Sequence, residues 1–241
     1  MSAQKKLIFF DTETTGIGEG DYLCQIAYKI NDETFMGLYK PPIPIPPGAS
    51  AVHHITNEMV KDKPAFTDSA DFKTIKELFE DKNSVLVAHN MCFDLGMIKR
   101  EGIKPSNTIC TLRVARYMDK DGKLAKHNLQ FLRYALGIEI DAKAHDALGD
   151  VLVMEQLFYR LLKKIISEEN INEEEAIKRM IEISSHPSLF RVISFGKHAG
   201  KKISDILATD RAYLEWLLAQ KETSDKEDED WIYTLKHYLQ K

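Results

Sequence analysis

The chain has 241 residues, a length that suits one domain of ordinary size, alone or with a small appendage. At 44% hydrophobic and 29% charged residues, it is neither a disordered chain, a collagen nor a disulfide-stapled miniprotein. Its 33 basic and 37 acidic side chains give a formal charge of −4, which taken alone argues against a polyanionic partner.

In chain order, residues 7–10 form a short apolar run ending in acid, the pattern of a buried central strand. Residues 26–30 and 34–39 are two further strand candidates around an Asn31-Asp32 turn, so the chain opens as an antiparallel meander. Five prolines within residues 41–47 predict an extended surface loop that serves as a stiff connector inside the fold. Helical spacing of Phe72, Ile75, Leu78 and Phe79 then leads to a buried strand at 84–88. Helices are expected over 93–101 and 112–118, with a short strand at 108–110 between them. Asn128 caps a helix, and a long amphipathic helix runs from about Asp146 to Ile166. Three strands followed by alternating helices and strands imply an α/β fold: a ribonuclease-H-like mixed β-sheet flanked by helices.

Beyond residue 166 the composition turns acidic. Asn172 and Glu175 have the form of a capping box. This predicts a first domain over 1–166, an acidic helical linker over 167–187 and a small α+β module over 188–241. In that module a strand at 191–194 and a basic glycine turn precede two helices, with Trp216 buried in their core. The three cysteines, Cys24, Cys92 and Cys110, form no C-x-x-C pair and read as reduced, mostly buried thiols. No run approaches the ~20 apolar residues of a membrane span, so no membrane association and a cytoplasmic location are expected.

The chemistry is carried by acids. Asp11 and Glu13, two apart on a strand, project from one face, where burial is costly unless a cation lies between them. Asp94 follows the buried strand at 84–88, and Asp150 lies in the first turns of the long helix, just after His145-Asp146. Oxygen-only ligands favour Mg²⁺, with Mn²⁺ as a substitute, over structural zinc. A pair of such ions suits in-line displacement at a phosphodiester, and an accessible histidine can serve as base.

Three segments, Asp11-Thr-Glu13-Thr-Thr-Gly16, His89-Asn90-x-x-Phe93-Asp94 and His145-Asp-Ala-x-x-Asp150, resemble the motifs of the DnaQ-like, DEDDh 3′→5′ exonucleases over about residues 5–165. That family includes the epsilon subunit of DNA polymerase III. Ala51-Val-His-His-Ile-Thr56 resembles a further family motif, with His54 in place of its glycine. The resemblance implies that Asp11, Glu13 and Asp150 hold one Mg²⁺, that Asp11 and Asp94 hold a second, and that His145 is the general base. It implies that Thr14, Thr15 and Gly16 approach the 3′-terminal nucleotide and that Asn90 positions the strand. His53 is a candidate for the substrate groove, and His89 is expected to be structural.

Residues 194–202 and 210–218 are similar to a small C-terminal module of exodeoxyribonuclease X-like proteins. Its turn gathers Lys197, Lys201 and Lys202 as candidate phosphate contacts. The implied substrate is single-stranded or 3′-end nucleic acid, DNA ahead of RNA, with a polymerase or repair complex as a possible setting. An oligoribonuclease-like activity on RNA and a non-catalytic tether are the alternatives. Two bound divalent ions would offset the formal −4, so the global charge does not exclude nucleic acid.

Overall fold

The structure is a computed structural model describing residues 5–140, 147–223 and 228–240. The chain divides into two compact units. The first comprises Met1–Leu112 and Asn128–Lys163; the second comprises Arg113–His127 and Lys164–Lys241.

The first unit is built on a five-stranded mixed sheet. Its strands are β1 (Lys6–Thr14), β2 (Leu23–Ile30), β3 (Glu33–Leu38), β4 (Ser84–Ala88) and β5 (Thr108–Cys110), in the order β3-β2-β1-β4-β5. The first three form the expected antiparallel meander, and β4 and β5 run parallel to β1. β1 is central because Ile8, Phe9 and Phe10 bury both of its faces.

Between β3 and β4 lie helices α1 (Pro47–His53), α2 (Asn57–Val60) and α3 (Asp71–Glu80). Sequence periodicity did not reveal α1 and α2, which sit next to the proline run. The run itself is extended as expected. Ile45 is buried with Cys24, Ile55 and Val60, so the connector packs onto β2. Pro47 then opens α1, where a missing amide proton costs nothing. α4 (Met91–Arg100) follows β4, and α5 (Thr111–Met118) follows β5. α6 (Leu129–Ala135) is capped by Asn128, and α7 (Ala147–Glu169) is the long amphipathic helix.

Neighbouring β1 residues point to opposite sheet faces. Phe10 meets Phe79 of α3 edge-on at 5.3 Å, while Phe9 meets Phe158 of α7 edge-on at 5.2 Å. Helices therefore cover both faces, and α7 covers the face to which Phe9, Asp11 and Glu13 belong.

The second unit is helical, with α8 (Glu173–Ser184), α9 (Ile203–Thr209), α10 (Arg211–Glu222) and α11 (Glu229–Leu239). Three sequence expectations are corrected here. The strand expected at 191–194 reduces to one antiparallel bridge between Val192 and Lys202, the one β pairing of the unit among the described residues. It has three helices after residue 200 rather than two, because Asp210 ends α9 and caps α10 where a single helix was expected. Finally, residues 173–184 are not a linker. The capping box of Asn172 and Glu175 forms, but α8 buries Ala176, Met180 and Ile183.

Residues 113–127 join this unit through ionic and hydrogen-bonded contacts. Arg113 donates to the Ser184 carbonyl at 2.9 Å and to Glu229 at 2.9 Å. Arg179 donates to the Tyr117 hydroxyl at 2.8 Å. The division therefore crosses α5 after Leu112 and α7 after Lys163, not at residue 166. The unit's core is Ile193, Ile203, Ile206, Leu214, Leu217, Trp231 and Leu235.

Candidate active site

β1 carries its acids within the strand rather than after it. Asp11 and Glu13 are half-buried, alternating with buried Thr12 and Thr14. β4 stops pairing with β1 at Phe9, so the strand runs on past its neighbour. Asp94 fills that position from the first turn of α4. Its Oδ1 accepts the Thr12 amide at 3.0 Å and the Thr12 hydroxyl at 2.7 Å. Two motifs 82 residues apart are thereby joined between Asp11 and Glu13. Asp94 is fully desolvated, and burial pushes its carboxyl well above the ordinary range, against the lowering effect of the Thr12 bonds.

The third acid arrives on α7. The Ala147 amide approaches Gln25 Oε1 at 3.4 Å, and Gln25 lies directly opposite Glu13 across the β1–β2 pair. Eight residues on, Glu155 pairs with Lys29 at 2.6 Å, and Lys29 lies opposite Phe9. Eight helical residues rise ~12 Å. Four strand residues span ~13 Å. α7 therefore runs alongside β2 in step with it. On this spacing Asp150 lies level with the interval between Glu13 and Asp11. Gln130 of α6 fixes its orientation, donating to Asp150 Oδ1 at 2.6 Å.

The loop after β1 folds on its own hydroxyls. Thr14 Oγ1 donates to the Gly16 carbonyl at 2.6 Å, and Thr15 Oγ1 donates to Asp21 at 2.8 Å. A Cβ at Gly16 would fall 2.6 Å from the Asp21 carboxylate, so a larger residue there would push that carboxylate off Thr15 and Gly18. Arg100, from the end of α4, holds the loop's far side by donating to the Glu19 and Asp21 carbonyls at 2.7 and 2.9 Å. Ile17 stands at the tip, 79% exposed.

His53 is buried with both ring nitrogens engaged. Nε2 donates to the Thr14 carbonyl at 3.1 Å, and Nδ1 accepts the Ile55 amide at 3.0 Å. Burial lowers its pKa, so it is neutral and pins α1 to the end of β1. His54 takes the left-handed conformation, φ 62° and ψ 11°, at the end of α1. That explains why the resembling motif has glycine at this position. Asn90 is exposed and also left-handed, at φ 65°, immediately before α4. His89 Nδ1 lies 2.9 Å from Thr111 Oγ1, as expected of a structural residue. His145 lies outside the described residues.

The donor set suits a hard divalent cation: Asp11, Glu13, Asp94 and Asp150 offer only carboxylate oxygen. Among the described residues no three His, Cys, Asp or Glu side chains are already drawn into a cage. The carboxylates reach this end of β1 through Thr12, Gln25 and Gln130, and mutual repulsion opposes closer approach without a cation. Sequence reasoning missed all three of those residues. Gln25 alone left a signal, a lone amide within the apolar run Leu23–Ala27.

In the second unit, Lys197 is tied to Asp210 at 2.8 Å, while Lys201 and Lys202 are exposed on the turn. Trp216, expected to be buried, is 55% exposed. It lies 200° around α10 from Leu214, which faces the core. No helix among the described residues is long and apolar enough to cross a membrane.

The sequence model described as "Exonuclease" matches residues 8–158, and that of the exodeoxyribonuclease X-like C-terminal region matches residues 193–222. The chain is 31% identical to exodeoxyribonuclease 10 of Escherichia coli K12, over 97% of this chain and 99% of that protein. It is 33% identical to the DNA polymerase III epsilon subunit of Buchnera aphidicola subsp. Acyrthosiphon pisum, over 73% of this chain and 82% of that one. Among solved structures, exonuclease X in complex with 5′-overhanging duplex DNA matches with TM-score 0.56 and 26% identity. That match covers 74% of this chain and 99% of the other. The nuclease domain of 3′hExo, a DEDDh family member, shares the fold at TM-score 0.52 and 16% identity, over 67% of this chain and 94% of the other. The chain thus belongs to the DnaQ-like DEDDh exonucleases, a divalent-metal-dependent family acting on nucleic acid, and carries an exodeoxyribonuclease X-like C-terminal region.

Proposed function

We propose that this exonuclease removes nucleotides from the 3′ end of single-stranded or frayed DNA, releasing nucleoside 5′-monophosphates. The observation that carries this reading is the convergence of three acidic motifs on one end of β1. Asp94 bonds Thr12, and the start of α7 meets Gln25 opposite Glu13.

Asp11, Glu13 and Asp150 would hold one Mg²⁺, and Asp11 with Asp94 a second. Bound there, the ions supply Lewis-acid stabilisation of the charge that develops on the phosphate and activation of the attacking water. Thr12 keeps the Asp94 carboxylate turned toward its neighbours, and Gln130 does the same for Asp150. His145 takes the proton from the attacking water. The Thr14–Gly16 backbone, with Ile17 beyond it, faces the terminal nucleotide, and Asn90 steadies the strand. His53 supports this surface from behind, because its ring holds the Thr14 carbonyl. Lys201 and Lys202 of the second unit contact phosphate.

Matched DNA and RNA oligomers, digested side by side with Mg²⁺ or Mn²⁺, test the substrate. Faster loss of DNA with 5′-mononucleotide products is the expected result. Preferential loss of RNA would make the chain an oligoribonuclease-like enzyme. With His145 as base, the rate falls as pH drops through the imidazole pKa, and His145→Ala loses about 10²–10⁴ in kcat while still binding metal. Near-normal turnover by His145→Ala would remove it from the mechanism.

A further inference from the structure

The second unit exposes an aromatic side chain that its core does not use. Of the two tryptophans, Trp231 packs inside against Phe190 with ring centroids 4.5 Å apart, whereas Trp216 is 55% exposed on α10. One turn earlier, Tyr213 lies 5.7 Å from the indole with the rings tilted by 36°. The Lys197 ammonium sits 4.9 Å above the Tyr213 ring.

The basic turn is held against this helix. A Cβ at Gly196, where φ is +64°, would lie 3.0 Å from the Tyr213 hydroxyl. Asp210 fixes both Lys197 and His198, at 2.8 and 2.9 Å, and those partners hold its carboxyl down to about 2. Lys197 is therefore already neutralised at this site. Lys201 and Lys202 project from the exposed end of the same turn. Arg191 joins them from the neighbouring segment, where its carbonyl accepts the Ile203 amide at 2.9 Å.

An exposed indole beside a tyrosine, next to a turn bearing exposed lysines, has the chemistry of a single-strand platform. Any unpaired base offers a π-face to stack, and the flanking phosphates meet ammonium groups. A duplex keeps its bases stacked internally and cannot use the indole in this way. We propose that this face of the C-terminal unit binds single-stranded nucleic acid. Trp216 stacks on an unpaired base, and Lys201, Lys202 and Arg191 contact the phosphates. The proposal rests on the reading of the substrate as a nucleic-acid strand, but not on the carboxylate site being catalytic.

The test uses the full chain carrying Asp11→Ala, in EDTA so that nothing is cleaved, titrated with a 20-nucleotide oligo(dT). The strand should quench the tryptophan fluorescence. Trp216→Phe should abolish that change because only Trp231 remains, while keeping most of the affinity. Trp216→Ala should weaken binding about tenfold with an unchanged melting temperature. Replacing Lys201 and Lys202 with alanine should lower the salt slope of log K by about 1.4. Unchanged affinity in Trp216→Ala together with no quenching would overturn the proposal. So would equal quenching by a blunt duplex, or quenching by anionic vesicles but not by the strand. Quenching by the strand, combined with no digestion by the unsubstituted chain in Mg²⁺, would leave the platform standing and refute only the catalytic reading.

Discussion

Asp94 and Thr12 are joined twice: one carboxylate oxygen accepts both the amide and the hydroxyl of the same residue, at 3.0 and 2.7 Å. This pair sets the second motif into the first. It holds in place a carboxyl whose burial raises its pKa, and its two bonds offset only part of that rise. Between the ordinary carboxylate range and the raised folded value, the folded chain keeps a proton that the unfolded chain has released. Metal-free stability therefore falls as pH rises through that window, and the loss is complete above it.

Asp94→Asn keeps an oxygen for both Thr12 bonds and removes the charge. Thermal unfolding in EDTA at pH 8 should show a midpoint at least ~3 °C higher than the parent, with the pH dependence between about 4 and 7 reduced. The same variant should gain no stability from Mg²⁺ and lose nuclease activity. A midpoint equal to or below the parent at pH 8 would mean that burial does not raise the Asp94 pKa.

Gln130 donates to Asp150 at 2.6 Å and touches it from a different helix. Gln130→Ala should leave the fold intact but raise the Mg²⁺ concentration for half-maximal activity about 10–100-fold, the usual effect of losing a residue that orients a ligand. Metal titrations of activity, read beside circular dichroism, separate this from misfolding. An unchanged metal requirement would show that Asp150 orients without it.

His54 occupies a left-handed backbone position at φ 62°. A side chain with a Cβ is strained there and glycine is not. His54→Gly should stabilise the protein by about 1 kcal/mol, net of glycine's greater freedom in the unfolded chain, and raise the melting midpoint ~2–4 °C. His53→Ala should do the reverse, because it strips the Thr14 carbonyl and the Ile55 amide of their buried partner. If His54→Gly destabilises, the imidazole makes contacts that outweigh the strain.

Arg100 spans the loop behind Gly16 with bonds to the Glu19 and Asp21 carbonyls. Arg100→Ala frees that loop without touching the carboxylates. We expect KM for a single strand to rise several-fold while kcat and the metal requirement hold, measured by steady-state digestion. A loss confined to kcat would place the loop's role in chemistry instead.

What the sequence made legible was whatever local chemistry specifies. Strands 84–88 and 108–110 stand where their apolar runs place them, and Asn128 and Asn172 cap the helices after them. α1 and α2 were hidden because seven and four residues give too little periodicity beside a proline run. The acids of β1 looked like a strand end because charge usually ends an apolar run, yet pairing with β2 carries the strand through them to Thr14. Gln25 and Gln130 were out of reach because they act over 122 and 20 residues and belong to no motif. Trp216 was misplaced because an aromatic among leucines suggests core, whereas helical phase turns it away from Leu214 and Leu217.

Digestion of a 5′-labelled single strand of DNA by the metal-replete protein tests the central claim most directly. We expect a ladder shortened one nucleotide at a time from the 3′ end. It should disappear in EDTA, in Asp11→Ala and in Asp94→Asn. Release of the 5′ label as the first product, an undiminished ladder in those variants, or an intact strand with the folded, metal-replete protein would contradict it.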